Sequence, residues 1–182
     1  MMSGTQLSLF DHVISKLPFF GKRKQTTRSS NKSRSRPKTS NFSDDPKLKL
    51  LWCQLRREFF PDRPDLDNYT VYWSGRRQIR TLASCNIEDK RIAVAKELNY
   101  LEQNRWLSPL LYHEMCHAYL GHTVAGSRGK RGRWHGKEFR ELEARHPGVK
   151  ELDRWIRGGG WSTAVRSSRA KEYHLRKRKN AA

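Results

Sequence analysis

Five residues, His113-Glu114-Met115-Cys116-His117, have the types and the spacing of a hydrolytic metal site. On an α-helix a separation of four residues returns side chains to within about 40° of one another, one turn apart, so two imidazoles can reach one ion. The glutamate that follows the first histidine then stands beside that ion without binding it. Such a carboxylate can take a proton from an attacking water and later deliver it to a leaving amine, which is the proton traffic of peptide hydrolysis. One Zn2+ ion is the expected cofactor, with His113 and His117 as two ligands and Glu114 as catalytic base.

The mechanism needs this pentapeptide on a short core helix. Ser108 is a suitable N-cap and Pro109 a suitable first helical residue, because its missing N–H would have had no partner there. Gly121 can end the helix with a positive φ. Between them Leu110, Leu111, Met115, Ala118 and Tyr119 supply an apolar side to bury.

A catalytic zinc takes three protein ligands and keeps one position open. His122 lies five residues beyond His117, turned about 140° away on a continued helix. His135, in Trp134-His135-Gly136-Lys137-Glu138-Phe139, is better placed, since Phe139 opens another amphipathic segment through Leu142. Glu138 and Glu141 are the remaining candidates.

His-Glu-Met-Cys-His-Ala, followed eighteen residues after its second histidine by His-Gly-Lys-Glu-Phe, resembles the SprT-like (Spartan-like) zinc metalloproteases. The resemblance runs from Pro46 to Arg157 and is specific at the two motifs. It implies that His113, His117 and His135 are the metal ligands and Glu114 the base. It also implies a protease of DNA-bound proteins that clears DNA-protein crosslinks. The cysteine-rich zinc ribbon carried by many bacterial relatives has no counterpart in these 182 residues.

Charge points to a nucleic-acid partner independently. The chain has 38 basic and 18 acidic residues, a formal net charge of +20. Residues 21–40 contribute +8 and residues 158–182 contribute +6, so two flanks carry +14 of the total. Both are polar and poor in apolar residues, and are expected to be disordered arms (1–45 and 158–182) that bind DNA phosphates by counterion release. A closer basic run, Arg128, Lys130, Arg131 and Arg133 with Trp134 at its end, lies between the second and third histidines. If those two share an ion, the run starts and finishes beside the cleft, where it can hold a phosphate backbone while Trp134 stacks on a base.

Near the amino end, Gln6-Leu7-Ser8-Leu9-Phe10 resembles the pentapeptide by which bacterial replication and repair proteins dock on the β sliding clamp, with Leu7, Leu9 and Phe10 as apolar anchors and Gln6 as the hydrogen-bonding amide. Leu7, Phe10, Val13, Ile14 and Leu17 would alternatively form a small amphipathic helix, and residues 1–40 also have the composition of a transit peptide.

The elements that must position this chemistry occupy residues 46–157. Asp45 and Pro46 open a helix carrying Leu48, Leu51, Trp52, Leu55 and Phe59 at helical spacing, ending near Pro61. Tyr69–Trp73, Ile79–Ser84 and Arg91–Ala95 read as a three-stranded antiparallel meander. After the histidine helix come two short helices marked by Phe139 and Leu142, then by Val149, Leu152, Trp155 and Ile156. The whole reads as an α+β fold with a zincin-like core, in which the resemblance implies an edge strand beside the zinc that holds extended substrate; Arg91–Ala95 is the expected strand.

Cys53, Cys85 and Cys116 have no paired spacing, which excludes a zinc finger or disulfide framework and suits a reducing, cytoplasmic compartment, nucleoid-associated in a bacterium. No apolar run is long enough to span a membrane, and a monomer is expected. His12, His146 and His174 read as solvated. Two functions compete: a DNA-activated zinc endopeptidase, and a non-catalytic nucleic-acid- or ribosome-associated protein stabilised by zinc. Glu114 favours the first, because a structural zinc calls for a fourth ligand and not for a free carboxylate.

Overall fold

The computed structural model describes residues 42–125 and 135–180, with the backbone alone at 122–125. The clamp-like pentapeptide Gln6–Phe10, the N-terminal arm up to residue 41, and Arg128, Lys130, Arg131, Arg133 and Trp134 lie outside the described residues.

Helix α1, Pro46–Phe59, starts where the Asp45 carboxylate accepts the N–H groups of Lys47 and Leu48, both at 3.1 Å, with proline at the first helical position. Leu48, Trp52 and Leu55 form its buried stripe, and the Trp52 indole donates to the Leu66 carbonyl at 2.8 Å.

Three strands follow: β1 at Thr70–Ser74, β2 at Ala83–Asn86 and β3 at Arg91–Ala95. Their order is β1-β3-β2, with β1 parallel to β3 and β2 antiparallel to it. The sheet is therefore mixed, not the expected antiparallel meander. The cause lies in residues 75–82, whose backbone is claimed by groups outside the sheet. Gln78 N–H donates to the Glu97 carboxylate at 3.0 Å, and the Ile79 carbonyl accepts from the Trp161 indole at 2.9 Å. The chain thus crosses to the far side of β3 before pairing, and Ile79, expected in a strand, is exposed.

Helix α2, Leu107–Ala125, occupies the centre and packs against α1, β2 and the later helices. Leu107, Leu110, Leu111, Tyr112, Met115 and Cys116 are all essentially inaccessible, so the helix is buried nearly all round, as suits the core of the fold. Two expectations about its ends fail. It grows directly out of a 3-10 turn at Leu101–Trp106, so Ser108 is inside the helix and is not its cap. It also runs on through Gly121, where a Cβ would lie 2.7 Å from the Ile87 side chain; close approach to the β2–β3 turn, not termination, is what this glycine supplies.

Helices α3 (Lys137–Glu143), α4 (Val149–Arg157) and α5 (Gly160–Asn180) complete the chain. The last corrects the disordered C-terminal tail. Trp161, Ala164, Val165 and Ser168 recur at i, i+3, i+4 and i+7 and are buried. Glu172 continues that stripe, pairing with Lys96 at 2.8 Å and Arg77 at 3.3 Å. Among the described residues no helix is long and apolar enough to cross a membrane.

Candidate metal centre

His113 and His117 lie one turn apart on α2, and His135 sits just before α3, with Gly136 as that helix's N-cap. The rings converge: His113 Nε2 to His117 Nε2 is 3.2 Å, and His117 Nε2 to His135 Nε2 is 3.1 Å. One nitrogen from each falls within 4.8 Å of the others, so the group could hold a metal ion. Of the other expected candidates, Glu138 and Glu141 are exposed and outside this group.

Phe139 organises the floor. Its ring centroid lies 5.1 Å from that of His113, 4.5 Å from His117 and 4.8 Å from His135, so one buried aromatic packs against all three imidazoles. Arg140, one position further along α3, donates from Nε to the His135 carbonyl at 3.3 Å and ties the third histidine to the helix.

Behind His113 stands Glu143, which the sequence reading passed over. With Nε2 turned to the other rings, the remaining Nδ1–H of His113 donates to Glu143 Oε1 at 2.5 Å. Glu143 is only 5 % exposed. Its signal was present in the sequence: Phe139, Leu142 and Glu143 share one side of a helix at i, i+3 and i+4, and an acid on an apolar face needs a buried partner. Asp153 lies behind in turn, its carboxyl raised to about 6 by burial and by the charge of Glu143.

Burial sets the charge states. His113, 3 % exposed, is held down to about 3, mainly by desolvation and then by His135. His117 is held down to about 2 by desolvation, His113 and His135. Both rings are neutral at pH 7, which is the ligand form, and the His113–Glu143 contact is a hydrogen bond and not an ion pair. Glu114, 5 % exposed, is pushed up to about 8 by desolvation. It faces Cys85 on β2, whose thiol is raised by burial and by the Glu114 charge. Hence β2, an edge strand packed on α2, lies beside the site; β3, the expected substrate strand, is the central strand with both edges paired.

Two further expectations resolve nearby. Cys116 is a buried core residue. His146, expected to be solvated, is buried beside Phe59 and Tyr112. Gly148 N–H donates to its Nδ1 at 3.1 Å, which leaves Nε2–H to donate to Ser108 Oγ at 3.0 Å.

A buried helix with paired histidines and a neighbouring glutamate, joined by a third histidine from the next helix, defines a three-histidine metal centre on an α+β fold. The SprT-like family model matches residues 48–153, and the chain belongs to the SprT-like family, whose membership fits a metallopeptidase-type function. No curated protein and no solved structure matches the chain.

Proposed function

We propose that this chain is a zinc-dependent endopeptidase that acts on DNA-bound or DNA-crosslinked proteins and is activated by DNA. The observation that carries the reading is the convergence of three neutral histidine nitrogens beside a buried glutamate that is not one of the group. A structural zinc site takes four ligands, whereas the group contains three histidines among the described residues.

His113, His117 and His135 would hold the ion, with Phe139 and Glu143 fixing the rings. Zinc bound there supplies Lewis acidity, polarising a carbonyl and lowering the pKa of a water to about 7. Glu114 takes the proton of the attacking water and returns it to the leaving amine; its raised proton affinity near neutrality suits a group that must both accept and donate. The edge strand β2 offers unpaired backbone on its outer side, so an extended substrate can add to the sheet there, close to Glu114.

DNA enters through charge. The net +20 supports phosphate binding, and Arg128, Lys130, Arg131, Arg133 and Trp134 are assigned to DNA beside the cleft. Substrate and enzyme on one DNA raise each other's effective concentration, which offsets weak sequence selectivity. The pentapeptide Gln6–Phe10 is assigned to the β sliding clamp of a bacterial host, and the protein is placed in the cytoplasm as a monomer.

The test is cleavage of a purified DNA-binding protein by the zinc-loaded chain, with and without single- and double-stranded DNA. DNA-dependent fragments, reduced when Arg128, Lys130, Arg131 and Arg133 are neutralised, are the expected result. Cleavage equally fast without DNA would remove DNA as the activator.

A further inference from the structure

Away from the histidines, a cavity of about 280 Å³ is walled by α4, α5 and the 3-10 turns at Lys96–Leu98 and Leu101–Trp106. Neither Glu114 nor any of the three histidines lines it. At its wall stands Glu97, 2 % exposed. One of its oxygens accepts the Gln78 N–H at 3.0 Å, while Oε2 is buried with no hydrogen-bond partner. Gln103, on the same wall, buries its Oε1 equally unpartnered. Both orphaned atoms are acceptors, and the carboxylate carries charge. Buried acceptors of this kind cost free energy unless a donor meets them, and a buried charge calls for a counter-charge.

The remaining lining points to the same ligand. Tyr100 and Trp155 present aromatic surface, and Gly160 makes room for the indole: a Cβ there would lie 2.1 Å from Trp155 Nε1. A cation already uses one of these aromatics, for Lys171 Nζ lies 4.3 Å from the Tyr100 centroid while it pairs with Glu102 at 3.1 Å. Glu97 thus remains an acid without a partner cation in a chain whose net charge is +20. The volume far exceeds the roughly 15 Å³ that one water needs.

We infer that this cavity is a binding site for a cationic side chain, arginine above all, presented by a basic protein partner. A guanidinium carries enough N–H donors to meet Glu97 Oε2 and Gln103 Oε1 together, and its flat face packs on Trp155 or Tyr100. Binding does not depend on hydrolysis. For a protease of DNA-bound proteins, whose substrates are rich in such side chains, it adds a second anchor outside the cleft.

The test titrates the full chain with N-acetyl-arginine methylamide and with its neutral isostere N-acetyl-citrulline methylamide, followed by tryptophan fluorescence and NMR. Saturable binding of the arginine probe, weaker by roughly tenfold or more for citrulline and for Glu97→Gln, is expected. Gln103→Leu, which removes an acceptor without touching the carboxylate, weakens binding as well and serves if Glu97→Gln fails to fold. No saturable binding, as when the cavity holds only water, would overturn the inference. So would equal affinity for citrulline, or affinity unchanged in both variants.

Discussion

Glu143 Oε1 lies 2.5 Å from His113 Nδ1, and both side chains are buried. The carboxylate fixes which nitrogen of His113 carries the proton and so which one faces His117 and His135. Outer partners of this kind raise ligand basicity and hold the ring against rotation. Glu143→Ala is therefore expected to lower zinc affinity by about 10- to 100-fold, measured by competition with a chromophoric chelator, and Glu143→Gln to lower it less. Equal affinity in the wild type and both variants would show that Phe139 packing alone orients the ring.

Stability of the metal-free chain is expected to fall as pH rises from 6.5 to 8. Glu114 keeps its proton to about 8 in the folded state against an ordinary 4.5, so the native form binds a proton that the unfolded form releases, and stability is lost as pH climbs between those values. His113 and His117 act in the opposite sense. Neutral in the fold down to about 3 and about 2, they contribute stability above 6.5 that is lost as pH falls below it. Above 6.5 the Glu114 effect therefore stands without opposition from these two histidines, at up to about 1.4 kcal/mol per pH unit. Urea unfolding of metal-free wild type and Glu114→Gln across this range isolates it: the variant should be flatter. Parallel slopes would refute the assignment.

Gly121 and Ile87 provide a packing test. A Cβ at Gly121 would lie 2.7 Å from Ile87 Cδ1 and 2.9 Å from its Cγ2. Gly121→Ala should thus cost about 1–3 kcal/mol in overpacking, only partly offset by about 1 kcal/mol of helix propensity. In an Ile87→Ala background the clash is gone, and the same substitution should stabilise. A double-mutant cycle in thermal unfolding reads the change of sign; additive effects would contradict the close approach.

Much of the site could be read along the chain because its chemistry is local. The spacing of His113 and His117 puts both on one face of any helix, and Asp45-Pro46 with Leu48, Trp52 and Leu55 announces α1 at its own start. The order and direction of the strands were not legible, since they depend on Glu97 and Trp161 capturing the backbone of Gln78 and Ile79 from distant positions. Helix α5 hid for a related reason. Only three apolar residues, Trp161, Ala164 and Val165, hold it to the core, and the rest of its stripe is Ser168 and the ion-paired Glu172. Composition reported the exposed cations and missed the face. Likewise His146 is a core residue because Ser108 and Gly148, 38 and 2 positions away, satisfy both of its nitrogens.

The central claim is that Glu114 performs hydrolysis at a metal centre held by His113, His117 and His135. It is tested most directly by measuring bound zinc and peptide-bond cleavage of an unfolded protein substrate side by side for wild type and Glu114→Gln. Equal zinc content near one ion per chain, with cleavage confined to the wild type, is the predicted result. Cleavage that persists in the variant, or a zinc-loaded wild type that cuts neither itself nor any DNA-bound protein, would contradict the account.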